Sequence, residues 1–263
     1  MNSNQFGICL LAIVPLRANP LHASEMISQL LFGETFEIIE KQESWIKIKT
    51  MFDDYEAWVD QKQITYLDDA SLKKRNLEKQ FLTKNAATLI LKGKQKEEMY
   101  LPSGALLPFL QGDEFLINNE TYQVKPKDIF LPDVLDFHSQ IAKIAKSFLN
   151  VPYLWGGKTH FGIDCSGFSQ TVFKLLGVKL KRDAYQQAEQ GQTVDFLVAA
   201  QAGDLAFFDN EEGRITHVGI MLSNSEIIHA SGKVKIDRID DQGIFANDQN
   251  KYTHKLRIVK RVV

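Results

Sequence analysis

Four glycines, Gly156, Gly157, Gly162 and Gly167, bracket or interrupt the stretch Asp164-Cys165-Ser166-Gly167-Phe168, and they constrain this chain more than any other feature. Glycine at such density marks places where backbone approaches backbone or a ligand too closely for a Cβ. Behind Cys165 the apolar residues Phe168, Val172, Phe173, Leu175 and Leu176 recur at helical spacing and stop at Gly177. That pattern predicts a helix ended by glycine. Cys165 then falls in its first turn, where unpaired N–H groups carry partial positive charge. Such a setting lowers a thiol pKa and favours the reactive thiolate. Asp164 fits the N-cap, its side chain accepting from first-turn N–H groups.

A reactive cysteine needs a base. His217 opens the apolar run His217-Val218-Gly219-Ile220-Met221-Leu222, and His229 ends Glu226-Ile227-Ile228-His229. Ser223-Asn224-Ser225 lies between the two runs. In an antiparallel hairpin with a three- or five-residue loop both side chains fall on one face of the sheet. With a two-residue loop they would point to opposite faces. On one face, one imidazole could orient the other, as a triad of nucleophile, base and orienting group requires. Gly156-Gly157-Lys158-Thr159 looks like the end of a phosphate-binding loop, but Pro152 stands where that loop needs its first glycine. The six histidines contain no His-x-x-x-His pair, and no metal site is expected.

The chain has 263 residues, room for one large domain or several small ones. A net charge of −2 gives no reason to expect nucleic acid or an anionic membrane as partner. Two cysteines, Cys9 and Cys165, make a disulfide framework improbable and suit a reducing compartment. The apolar run Gly7–Val14 lacks the basic residues that precede a secretory signal core, and it reads better as a buried strand. A cytoplasmic location is expected, with export as the alternative. No apolar run nears the roughly 20 residues of a membrane helix.

Residues 6–66 read as short strands: Phe6–Leu16, Met26–Leu31, Glu34–Glu40, Trp45–Thr50, Tyr55–Val59 and Gln63–Tyr66. They predict a small barrel over residues 1–66. Residues 67–80 are polar, with Asp68, Asp69, Lys73, Lys74, Arg75, Glu78 and Lys79, and read as a solvated linker. Residues 81–132 repeat the β texture through Thr88–Leu91, Ala105–Leu110, Glu114–Ile117 and Glu120–Val124, with a turn at Asn118-Asn119. From residue 136 the texture changes. A helix is expected over Ser139–Leu149, then the cysteine helix and a short one over Ala184–Gln190. Strands at Asp204–Phe208, His217–Leu222, Glu226–Ala230 and Lys255–Val263 follow. Helices first and a β-meander after them give an α+β domain over 136–263.

Taken together, Tyr153-Leu154-Trp155-Gly156-Gly157, Asp164-Cys165-Ser166-Gly167-Phe168, His217-Val218-Gly219-Ile220 and His229-Ala230 resemble the NlpC family of papain-like cysteine peptidases. The two β units before them resemble bacterial SH3 domains. The whole arrangement is similar to γ-D-glutamyl-L-diamino-acid endopeptidases that process murein peptides with a free N-terminal L-Ala. The resemblance implies Cys165 as nucleophile, His217 as base and His229 as the residue that orients it. It implies that Tyr153 and backbone N–H groups at the start of the cysteine helix help hold the oxyanion, that Asp164 and Ser166 bind the amine and carboxylate ends of the substrate, that Trp155 and Asp183 lie on the substrate side, and that Glu25 and Tyr55 cap the L-Ala amine. Where the family commonly carries Ser, this chain has Ala184. The implied partner is the peptide L-Ala-γ-D-Glu-diamino acid, handled by a monomer without metal or cofactor. A general cell-wall hydrolase, a lipid-directed acyltransferase and a non-catalytic wall-binding protein are the competing expectations.

Overall fold

A computed structural model describes residues 5–67, 71–73, 79–117 and 119–263. Asp68, Asp69, Lys74, Arg75 and Glu78 of the expected linker, Met1–Asn4 ahead of the first apolar run, and Asn118 of the expected turn lie outside the described residues. The chain forms two compact units, residues 1–132 and 133–263.

The first unit is built from strands. Its first sheet holds β1 (Phe6–Ile8), β2 (Ile13–Arg17), β3 (Met26–Leu31), β4 (Thr35–Gln42), β5 (Trp45–Thr50), β6 (Glu56–Asp60) and β7 (Thr65–Leu67), in the order β3-β2-β6-β5-β4-β1-β7. The expected single strand Phe6–Leu16 is two strands. β1 pairs with β4 and β7, whereas β2 pairs with β3 and β6. The run is apolar throughout because it serves two cores in succession. Ile8 packs with Phe32, Leu67 and Phe115, and Val14 and Leu16 pack with Phe36, Ile46 and Val59.

The remaining strands of this unit are β8 (Phe81–Thr83), β9 (Thr88–Lys92), β10 (Glu97–Leu101), β11 (Leu106–Leu107), β12 (Glu114–Ile117), β13 (Glu120–Val124) and β14 (Ile129–Phe130). They form two sheets, β10-β9-β13-β12 and β11-β8-β14. The strand expected over Ala105–Leu110 shrinks to Leu106–Leu107, because Phe109 turns into the left-handed region at φ 63°. Gly33 shows why the two halves of the unit meet closely. A Cβ there would lie 2.1 Å from the Leu106 carbonyl oxygen.

The second unit starts with α1 (Phe137–Lys146), whose Phe137, Ile141 and Ala145 repeat every four residues and are buried. A two-stranded ribbon, β15 (Lys158–Thr159) and β16 (Gly162–Ile163), leads into α2 (Cys165–Lys174). All ten residues of α2 are buried, so it is the central helix of the unit. A short α3 (Ala184–Gln187) follows. The sheet comprises β17 (Gln192–Val194), β18 (Leu205–Asp209), β19 (Ile215–Met221), β20 (Glu226–Ser231), β21 (Lys233–Asp240), β22 (Gly243–Ala246) and β23 (Lys251–Arg261). Its order is β17-β23-β18-β19-β20-β21-β22, and β22 also pairs with β23, which curls the sheet back on itself. The unit is α+β, with helices first and a β-meander after them.

Candidate active site

The start of α2 is anchored by one carboxylate. Asp164 is the N-cap and accepts from the Gly167 N–H at 2.6 Å and the Gly156 N–H at 2.8 Å. Arg182 meets it with a two-pronged fork, Nη1 to Oδ1 at 3.1 Å and Nη2 to Oδ2 at 2.6 Å. Both side chains are buried, at 1% exposure for Arg182 and 5% for Asp164. Arg182 Nη1 also donates to Ser166 Oγ at 2.9 Å. The glycines allow this closeness. A Cβ on Gly167 would lie 2.2 Å from the Gly157 carbonyl oxygen, and one on Gly157 would lie 2.4 Å from that of Gly162.

Cys165 is 4% exposed. The helix start alone would lower its pKa, but burial works against ionisation and dominates. Burial, with the neighbouring Asp164 charge, pushes the thiol up to about 12, against smaller lowering by hydrogen bonding to Val218 and by Arg182. Tyr153, half-buried, has its hydroxyl pushed up by burial and by the charges of Cys165 and Asp164.

The imidazoles stand on the sheet. β19 and β20 pair Ile220 with Ile228 and Met221 with Ile227, leaving Ser223-Asn224-Ser225 as a three-residue loop. His217 and His229 therefore share one face, as the odd loop length predicts. Continuing the register sets Gly219 opposite His229, and its missing side chain leaves the room the ring needs. A Cβ there would lie 2.9 Å from His229 Cβ. His217 Nε2 and His229 Nδ1 are 2.8 Å apart. β21 pairs its Asp237 with Ile227 of β20, two residues from His229. His229 Nε2 reaches Asp237 Oδ2 at 3.0 Å. The three side chains thus run diagonally across three adjacent strands.

His217 is held well below its ordinary pKa by burial, then by His229 and His254. His229 is also lowered, burial outweighing the Asp237 hydrogen bond. Asp237 itself would be raised by burial. Hydrogen bonds from His229, the Asn247 N–H and Lys235 overcome this and hold it at about 2. His254, on β23, stacks on His217 with ring centroids 4.1 Å apart, and burial lowers it to about 4.

The structure places the other expected residues as follows. Trp155 is 56% exposed in the loop before β15. Ser166 sits at the buried start of α2, and Asp183 is the N-cap of α3 in a capping box with Gln186. Glu25 and Tyr55 belong to the other unit. Glu25 is exposed just ahead of β3, where its carbonyl accepts the Ala18 N–H. Tyr55 is half-buried ahead of β6 and donates its N–H to Thr50 Oγ1 at 3.0 Å. Three residues of the site are absent from the sequence reading: Arg182, Asp237 and His254. For Asp237 a signal existed. Ser231-Gly232 after His229 marks a turn, and Val234 and Ile236 alternate beyond it.

Residues 150–254 match the NlpC/P60 family, and residues 16–64 match the bacterial dipeptidyl-peptidase Sh3 domain. The gamma-D-glutamyl-L-lysine dipeptidyl-peptidase of Bacillus cereus is 28% identical over 233 residues, 80% of this chain and 68% of the relative. Dipeptidyl-peptidase 6 of Lysinibacillus sphaericus is 26% identical over 90% of this chain and 92% of its own. The murein DD-endopeptidase MepS/murein LD-carboxypeptidase of Escherichia coli is 39% identical over 99 residues, 37% of this chain and 51% of that protein. Among solved structures, an NlpC/P60 family protein from Bacillus cereus superposes with a TM-score of 0.82 at 20% identity, covering 98% of this chain and 99% of that one. That likeness speaks for the fold.

Proposed function

We propose that this chain, an NlpC/P60 cysteine peptidase carrying a bacterial dipeptidyl-peptidase SH3 domain, hydrolyses the γ-D-glutamyl–diamino-acid bond of murein peptides with a free N-terminal L-Ala. One observation carries the reading: a single chain joins that SH3 domain to a buried helix-start cysteine facing a sheet with the His217–His229 pair. The names of its relatives in Bacillus support the substrate class, and that of its relative in Lysinibacillus supports dipeptidyl-peptidase activity.

The sequence alone points to Cys165 and His217 as a thiolate–imidazolium pair. Burial disfavours both charges, so the proposed mechanism starts from a neutral thiol and a neutral imidazole. His217 takes the thiol proton as sulfur attacks the γ-carbonyl of D-Glu. The Tyr153 hydroxyl and N–H groups at the start of α2 hold the oxyanion. The tetrahedral adduct collapses to a thioester, and the diamino acid leaves with the proton from His217. Water, deprotonated by His217, then releases L-Ala-γ-D-Glu and restores the thiol. Ser166, Asp183 and Trp155 are assigned to the substrate on the sequence resemblance. Asp164 acts from behind, because Arg182 and two backbone N–H groups already engage its carboxylate. The assignment of Glu25 and Tyr55 to the L-Ala ammonium rests on the sequence resemblance, and Glu25→Ala tests it. Unchanged cleavage of free-amine peptides by that variant would remove the assignment.

The main test is mass spectrometry of L-Ala-γ-D-Glu-diaminopimelate and its lysine counterpart, each beside its N-acetylated form, with Cys165→Ala as control. Cleavage of the free peptides alone, with an inert variant, is expected. Cleavage of both forms would favour a general wall hydrolase, and cleavage of neither would overturn the substrate class.

A further inference from the structure

We propose that Asp237 fixes the tautomers of both histidines and so makes Nδ1 of His217 the basic nitrogen. It is a positioning residue that acts through two rings, and the proposal rests on the reading above of Cys165 as nucleophile and His217 as base.

The argument starts at the carboxylate. An ionised carboxylate has only acceptors. Asp237 Oδ2 lies 3.0 Å from His229 Nε2, so that nitrogen carries the hydrogen and donates it. A neutral imidazole has one N–H, which leaves His229 Nδ1 bare and able only to accept. Its partner at 2.8 Å is His217 Nε2, which therefore donates. The single hydrogen of neutral His217 is then committed to Nε2, and Nδ1 offers a lone pair. Each step is forced by the one before it, and the direction of the whole chain is set at Asp237.

Asp237 is itself held in place. Its Oδ1 accepts the Asn247 N–H at 3.0 Å, and its Oδ2 also meets Lys235 Nζ at 3.2 Å. Lys235 is paired in turn with Asp248 at 2.8 Å. During acylation the S–H bond breaks, a new N–H forms on His217 Nδ1, and sulfur bonds to the carbonyl carbon. The imidazolium keeps donating through Nε2 to His229, with the Asp237 charge behind it. No proton needs to move past His217.

Asparagine at this position is an informative substitute. The Asn247 N–H requires an oxygen at the Oδ1 position, and Lys235, already paired with Asp248, can leave the Oδ2 position, so the carboxamide NH2 would face His229 Nε2. That donor would reverse every step and put the His217 hydrogen on Nδ1, where it cannot accept the thiol proton. The groups that bear on this titration are His217 on β19, His229 on β20, Lys235 on β21, His254 on β23, Asp248 after β22, and Cys165, Tyr153, Asp164 and Arg182 at the start of α2.

The experiment combines nitrogen-15 histidine NMR with iodoacetamide labelling of Cys165, mapped by peptide mass spectrometry, from pH 6 to 10. In the wild type both His217 and His229 should carry hydrogen on Nε2. In Asp237→Asn both should switch to Nδ1. Labelling of the variant near neutral pH should fall by about 100-fold or more, and the deficit should narrow as pH rises and solvent removes the thiol proton. A wild-type His229 protonated on Nδ1, or a folded variant labelled at the wild-type rate throughout, would overturn the proposal. If the variant does not fold, the wild-type spectrum alone decides. Labelling needs no peptide substrate, so failure of the substrate reading leaves this test intact. Wild-type Cys165 that labels no faster than the likewise buried Cys9 would instead count against the nucleophile assignment.

Discussion

Two buried aspartates serve this site, and they are wired differently. Asp164 is surrounded. An arginine fork and two backbone N–H groups converge on one carboxylate, which ties the loop, the helix start and Arg182 together. Asp237 stands at the end of a line, with His229 and then His217 in series. Convergence makes a joint, because the loss of one partner leaves the others in place around a buried charge. A series makes a relay, because each member decides what the next one can donate. The first arrangement should therefore show in stability, and the second in proton chemistry.

The largest break in that contrast should come from Arg182→Met. It leaves Asp164 buried and unpaired, which should cost about 3–5 kcal/mol in urea unfolding. Arg182→Met with Asp164→Asn should recover most of the loss, since the uncompensated charge is gone. Gly167→Ala should come next. Its Cβ would meet the Gly157 carbonyl, backbone against backbone, with an expected cost of about 1–3 kcal/mol and displacement of Cys165 that cuts labelling by iodoacetamide.

The pH dependence separates the relay into two windows with one sign. The histidines are depressed in the folded state, so protonation favours unfolding. Their contribution to stability is complete above about 6.5 and is lost as pH falls below it, the loss at His254 being finished by about 4. Asp237 has a folded pKa of about 2 against 3.8, so its contribution is complete above 3.8 and vanishes on the way to 2. Thermal unfolding of wild type against Asp237→Asn across this range should show the second window disappear. If His217 is the base, as proposed, activity requires its neutral form, and the acid limb of kcat/KM should lie below 6.5. The smallest effect should be at His254. Alanine there should cost about 1 kcal/mol through the lost stack on His217, and phenylalanine should keep most of it.

The joint was partly legible in the sequence and the relay only at one end. Asp164 could be read because capping is local. An acidic residue before a helical apolar pattern has one obvious task. Its partner Arg182 lies among Lys181 and Asp183, and a charged triplet looks like surface until the fold buries its middle member. The shared face of His217 and His229 followed from loop parity. The turn at Ser231-Gly232 and the alternating Val234 and Ile236 signal the strand that carries Asp237, but β21 reads Lys233-Val234-Lys235-Ile236-Asp237-Arg238-Ile239-Asp240, and charge at so many places hides which of them faces the histidines. Two of those charges, Lys235 and Asp237, pair with one another. In the same way Phe6–Leu16 looked like one strand, since nothing local shows that Ile8 and Val14 belong to different cores.

The burial that keeps Cys165 a thiol at rest also bears on its durability. Hydrogen peroxide attacks thiolates, and susceptibility to sulfenic acid follows thiolate character and access. On the mechanism proposed above, a sulfur that ionises only as its proton passes to His217 during attack on a carbonyl offers an oxidant little to react with between turnovers. On that reading the site resists oxidative inactivation with no second cysteine in its own unit, Cys9 being buried within the first unit.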